Sequence, residues 1–177
     1  AAAAAEASKL AIDPIKEIPD SVNWHFSGIV GLNFTQTQLW NWAAGGNNNF
    51  TGIAFANLFL RYKKDQIAWD SNLDTDLGVM YASDTRYPWR KSNDKINFAT
   101  KFGWEFKPTW FLTLLGGFKS QYLAGYDYKD DTLYYSSNFL SPSYTDLSLG
   151  IDWKPNEIFS LYLSPVAGRL TTATDSL

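Results

Sequence analysis

The stretch that most restricts this chain is Trp69 to Ala82, W-D-S-N-L-D-T-D-L-G-V-M-Y-A, because its residues change character at every second position. Trp69, Leu73, Leu77, Val79 and Tyr81 fall on one side, interrupted by Ser71 and Thr75. Asp70, Asn72, Asp74, Asp76 and Gly78 fall on the other. A period of two places these sets on opposite faces of a β-strand. Three aspartates make the polar face too acidic for a water-excluded core, and aromatics end the opposite face. A strand with one greasy and one wet face fits a membrane-spanning barrel. From Trp69 to Tyr81, at ~3.3 Å per residue and a tilt of ~45°, the strand covers ~28 Å, close to a bilayer's hydrocarbon thickness. Trp and Tyr favour the two membrane interfaces.

Composition agrees. The 177 residues include 8 Trp, 10 Tyr and 12 Phe, many for a soluble domain of this length, and the chain fits one domain. Mean hydropathy is slightly negative, which a barrel with a polar inner face permits. No apolar run reaches the ~18 residues of a transmembrane helix. The absence of cysteine removes disulfides and thiolate metal sites. A net charge of −3 gives no reason to propose nucleic acid as a partner.

Residues 1–22 read as an extended periplasmic lead-in arm: the alanine run lacks a signal-peptide pattern, and Pro14 and Pro19 oppose a long helix. Strands are predicted at 23–39, 50–62, 67–82, 95–107, 110–126, 145–154 and 157–165, giving an all-β, antiparallel up-and-down transmembrane barrel over 23–177. The second strand is irregular, with Phe55 and Phe59 on its nominally polar face. The Lys63–Gln66 turn sets Tyr62 against Trp69 and therefore Arg61 against Asp70, a favourable cross-strand pair. One register of the next hairpin sets Asp76 beside Lys101 and Asp70 beside Lys107. With Asp74, these residues would make a charge-paired lumen.

Connections alternate long (41–49, 83–94, 127–144) and short (63–66, 108–109, 155–156), as outer loops and periplasmic turns do. Trp24, Trp69, Trp104, Trp110 and Trp153 sit at the short-turn end and form an expected periplasmic aromatic girdle. Trp40, Trp42, Tyr81, Trp89, Tyr122 and Tyr126 sit at the long-loop end and form an extracellular one. Seven strands cannot close in lipid, where an open edge leaves backbone groups unpaired. The expectation is therefore a longer barrel, completed by further strands of this chain or of another.

At N-F-T-Q-T-Q-L-W-N-W-A-A-G-G-N-N-N (Asn33 to Asn49) and W-D-S-N-L-D (Trp69 to Asp74) the sequence resembles an uncharacterised family of outer-membrane β-barrel proteins of the Bacteroidota, known only as a domain of unknown function. The likeness continues at D-K-I-N (Asp94 to Asn97), G-Y-D-Y (Gly125 to Tyr128), S-N-F-L-S-P-S-Y (Ser137 to Tyr144) and L-S-P-V-A-G-R-L-T (Leu163 to Thr171). It spans about Trp24 to Thr171 and leaves out the alanine-rich arm. Members of that family look longer than this chain. The resemblance implies the fold and an outer-membrane location in a Gram-negative bacterium; it implies no activity and no catalytic residues.

Each group of chemistry-bearing residues has a plainer reading. His25 with Ser27 lacks a neighbouring carboxylate to orient it, so a hydrogen-bonded lumen histidine is the reading. Asp70, Asp74 and Asp76 have oxygens suited to Ca²⁺ or Mg²⁺, but Arg61, Lys101 and Lys107 are available as counter-charges. Asp127, Asp130 and Asp131, beside Tyr126, Tyr128, Tyr134 and Tyr135, could take Ca²⁺ or a sugar, with a solvated loop at the level of lipopolysaccharide as the plainer reading. Gly45-Gly46 has no following helix to bind phosphate. No enzyme, metal or cofactor is implied. The leading expectation is a structural or accessory outer-membrane barrel in contact with lipid and lipopolysaccharide, and with other outer-membrane proteins or lipoproteins in an assembly. A small-solute channel or transporter is the alternative, and a soluble ligand- or carbohydrate-binding barrel the second.

Overall fold

A computed structural model describes residues 23–41, 46–83, 85–129, 132–156 and 158–173. The lead-in arm 1–22, Trp42, Gly45, Asp130, Asp131 and Glu157 lie outside the described residues. Nine strands follow in order: β1 (Trp24–Thr37), β2 (Asn49–Lys64), β3 (Ile67–Ala82), β4 (Trp89–Lys107), β5 (Trp110–Ser120), β6 (Gly125–Lys129), β7 (Thr132–Ser137), β8 (Ser143–Trp153) and β9 (Leu161–Thr172). Seven form one antiparallel sheet in the order β1-β2-β3-β4-β5-β8-β9, while β6 and β7 form a separate hairpin. The described sheet is open: β1 and β9 stand at its two edges and do not pair with each other. The expectation was seven strands of a longer barrel that do not close by themselves; the described strands form an up-and-down meander with both edges open.

Residues directly opposite one another in an antiparallel pair share a face. The registers therefore carry the alternation of β3 across the whole sheet. Trp24, Tyr62, Trp69, Phe102, Leu114, Leu149 and Val166 form one continuous row over all seven strands. On the other face, His25, Arg61, Asp70, Lys101, Leu115, Ser148 and Ala167 form another. No hydrophobic side chain among the described residues is buried; Val30 is 72% exposed and Phe26 69%. Most of the apolar face is uncovered; near its outer end the segment after β5 lies against it, with Tyr122 on Thr75 and the Tyr122 and Leu123 backbone on Asp94.

The polar exceptions on that face are satisfied internally. Trp69 Nε1 donates to Thr100 Oγ1 at 2.7 Å, and Ser71 Oγ lies 2.8 Å from the same oxygen. Thr75 Oγ1 donates to the Lys95 carbonyl at 2.8 Å and meets the Tyr122 hydroxyl at 2.6 Å. Ser71 and Thr75 thus interrupt the alternation of side chains without leaving hydroxyls to be solvated.

Three strand boundaries differ from the sequence reading, each at a β-bulge or an added hairpin. β4 begins at Trp89, not at residue 95, because Ser92 is an extra residue between Asn93, opposite Gly78, and Lys91, opposite Val79. A side chain at Gly78 would put its Cβ 2.5 Å from Ser92 Oγ, so glycine makes room for the bulge. The bulge reverses the alternation and brings Trp89 to the same face as Tyr81. β9 runs from Leu161 to Thr172, where the expected strand was 157–165, and an extra residue at Ser164-Pro165 absorbs the proline that the sequence marks as a strand end. The third short connection accordingly lengthens to 154–160. The expected strand 110–126 stops at Ser120, and the segment expected as a 127–144 loop contains β7 and much of β6.

Candidate functional site

The polar face is concave. A cavity of about 840 Å³ on this face is lined from β2 through to β9, by Phe59 and Arg61 at one side and Ala167 and Arg169 at the other. Strands four to five places apart in the sheet can border one cavity only if the sheet curls toward this face. Small residues at Ala99, Gly117 and Ala167 keep the trough open between the longer side chains.

Its charges are paired. Arg61 Nε is 2.8 Å from Asp70 Oδ1, in the register set by the Lys63–Gln66 turn. Lys95 bridges Asp74 at 2.9 Å and Asp76 at 3.0 Å. Arg169 grips Asp146 with two guanidinium nitrogens, at 2.6 and 3.2 Å. That fork geometry favours carboxylates. The pairings expected for Lys101 with Asp76 and for Lys107 with Asp70 do not form. The β3–β4 register sets Asp76 opposite Lys95 and Asp70 opposite Lys101 instead. Lys101 then reaches past β5 to Asp152 on β8, and Lys107 lies opposite Trp110 at the turn into β5.

Asp152 is the deepest group of the face, with a side chain 0% exposed. It accepts from Lys101 Nζ, from Ser160 Oγ at 2.8 Å, and has Lys154 Nζ at 3.4 Å. Lys154 also lies 5.2 Å from the Phe111 ring centre, and Lys101 lies 6.0 Å from the ring centre of Tyr162, whose hydroxyl meets Ser148 at 3.0 Å. A buried carboxylate between two ammonium groups is compensated for its lost hydration. Lys95, Asp146 and Asp152 each lie on the polar face of a strand with clear alternation, so their side was legible in the sequence. Their partners were not, because Arg169 lies beyond Pro165 and Lys101 pairs two strands away.

The trough holds carboxylates and cations in mutual neutralisation. His25 lies opposite Arg61 and Ser27 opposite Phe59, neither partner being a carboxylate. Among the described residues no group of three or more His, Cys, Asp or Glu side chains converges as a metal site. Phe55, the exception on β2, covers Gly31 of β1, where an added Cβ would fall 2.5 Å from the ring; Phe59 faces the cavity.

Aromatic residues mark both ends of the sheet. At the short-turn end, Trp24 lies 4.6 Å from Tyr62 and 5.9 Å from Trp69, Trp104 lies 6.5 Å from Phe106, and Trp110 stacks on Trp153 at 5.7 Å. At the other end Tyr81 meets Trp89 at 5.1 Å and Trp40 is 82% exposed. Two residues expected in that row sit elsewhere. Tyr122 lies past the end of β5 with its hydroxyl on Thr75, and Tyr126 belongs to β6, where it packs edge-on against Tyr135.

The hairpin β6–β7 is anchored by a second set of contacts. Asp94, almost wholly enclosed, accepts from Lys91 Nζ at 2.8 Å and from the backbone N–H groups of Tyr122 and Leu123 at 2.7 and 2.8 Å. Arg90 lies 4.2 Å over the Tyr128 ring, which packs on Tyr87. Replacing Asp94 with alanine orphans three donors at once and is expected to cost about 2–3 kcal/mol. Limited proteolysis read by mass spectrometry should then show cleavage within 121–142 before any cleavage in the seven-stranded sheet.

These features define an antiparallel sheet protein with two unlike faces, a self-neutralised charged trough and a largely uncovered apolar back. The chain belongs to the family described as protein of unknown function (DUF3078), whose model matches residues 34–126, from β1 into β6. That span contains Arg61, Asp70, Asp74, Asp76, Lys95 and Lys101, and leaves Asp146, Asp152 and Arg169 outside it. No curated protein and no solved structure matches the chain.

Proposed function

We propose that this chain contributes its seven-stranded sheet to an outer-membrane β-barrel of a Gram-negative bacterium, of the Bacteroidota by the resemblance described above, with a structural or accessory role and no catalysis. The observation that carries the reading is the continuous apolar face, ended by aromatic rows and left open over most of its length. In water such a face would far exceed the few hundred Å² of contiguous apolar surface that monomers expose. In lipid it is solvated, its Trp and Tyr residues become the two girdles, and the charged trough becomes the lumen. The edges of β1 and β9 then require partner strands, since unpaired backbone groups are costly in hydrocarbon. Outer-membrane lipid, lipopolysaccharide and the proteins or lipoproteins of a larger assembly are the partners this reading gives it.

Fractionation of native membranes tests it. The protein should stay with the membranes through high-salt and alkaline washes and enter solution only with detergent. Recovery in the aqueous fraction without detergent would refute membrane insertion. The cavity of about 840 Å³ favours one second reading, a small-solute channel. Planar-bilayer recording separates the two: the structural role predicts little conductance, and the mutual pairing of the trough charges predicts weak ion selectivity for whatever current flows.

A further inference from the structure

We propose that the cavity between the outer end of β4 and the β6–β7 hairpin binds a neutral saccharide. It measures about 490 Å³, within the size range of small-ligand sites. It lies apart from the trough, at the outer aromatic end of the sheet where Trp89 also packs on Tyr81. Its walls are held before any ligand arrives: Asp94 and Lys91 fix one side through Tyr122 and Leu123, and Arg90 on Tyr128 fixes the other.

The chemistry left over points to one class of ligand. Lys91 is neutralised by Asp94, and Arg90 is held in the wall by the Tyr128 ring and by its Nε–H on the Tyr87 carbonyl. Asp94 spends its carboxylate on Lys91 and two backbone donors, and no cluster of metal-ligating side chains exists among the described residues. What remains are two exposed rings, Trp89 at 61% and Tyr126 at 47%, with Asn93, Asp127 and Ser136 lining the same space. A pyranose presents C–H groups on its ring faces and hydroxyls at its edge. The C–H groups suit the negative face of an aromatic ring. The hydroxyls can donate to a carboxylate and exchange hydrogen bonds with an amide and a serine.

The test is calorimetric titration of the full chain, folded in a detergent without a sugar headgroup, with neutral trisaccharides of the maltose, cellulose and chitin types. Oligogalacturonate, inorganic phosphate and Ca²⁺ serve as comparison probes. The expected result is binding of at least one neutral sugar at millimolar concentration or below and none of the comparison probes. Trp89→Ala should weaken it by about tenfold or more and Asp127→Asn by several-fold. Trp89→Phe, which keeps a ring, should retain binding and so separates loss of the platform from loss of the fold. Vesicles carrying a digalactosyl lipid distinguish the source: binding of free sugar assigns a soluble glycan, and binding to these vesicles alone assigns a lipid headgroup. Failure of every neutral sugar in both formats, preference for the anionic probes, or full binding in Trp89→Ala combined with Tyr126→Ala would overturn the proposal.

Discussion

Arginine at Val30 is expected to destabilise the protein in lipid vesicles by about 2–4 kcal/mol, the cost of a cationic side chain on the lipid face near the bilayer midplane. Val30 is 72% exposed and lies in the row with Ala56, Thr75 and Ile96, midway between the two aromatic ends of the sheet. If water rather than lipid bathes that face, an exposed valine on an edge strand tolerates arginine within about 0.5 kcal/mol. Ser27→Arg, on the opposite face of the same strand, is the control and should change little in either case. Equilibrium unfolding by tryptophan fluorescence in vesicles reads both. Equal, small effects of the two variants would remove the basis for a lipid-facing side.

Asp152→Ala is the second large effect. The carboxylate is fully enclosed, and its loss leaves Lys101, Lys154 and Ser160 without their acceptor. Removing one partner of a buried pair costs about 3–5 kcal/mol. The two ammonium groups are partly exposed, at 35% and 42%, which lets water recover part of that and sets the expectation at about 2–4 kcal/mol. By contrast Asp70→Ala, whose partner Arg61 is 57% exposed, should cost about 0–1 kcal/mol. Lys101→Met combined with Asp152→Leu replaces the charges with apolar volume and should regain most of the loss. A denaturation midpoint for Asp152→Ala no lower than that for Asp70→Ala would show that burial does not set the strength of this network.

The resemblance read from the motifs and the family match agree that the chain belongs to a group of unknown function; location and taxon rest on the proposal above. Within the chain, alternation separated the faces of β3 despite Ser71 and Thr75, and the stretch 95–107 was legible because charged and aromatic residues alternate along it. The start of β4 and the course of β9 were not, since Ser92 and Pro165 each shift the count by one. A reader who continues the alternation through a bulge puts every later side chain on the wrong face. The hairpin β6–β7 escaped for a different reason: its Tyr- and Asp-rich sequence has no apolar stripe, and what holds it is Asp94, Lys91 and Arg90 on another strand.

The sequence by itself determined which residues are greasy and which are charged on each ribbon, because that is a local property of a two-residue repeat. It also determined Arg61 opposite Asp70, because a tight turn leaves the strands one register. Which lysine meets which aspartate elsewhere was decided only by the tertiary structure. The β3–β4 register gave Lys95 to Asp74 and Asp76, and the curl of the sheet brought Lys101 across β5 to Asp152. Such pairings depend on the stagger of several strands and the curvature they share, and these are properties of the assembled sheet, absent from any single segment.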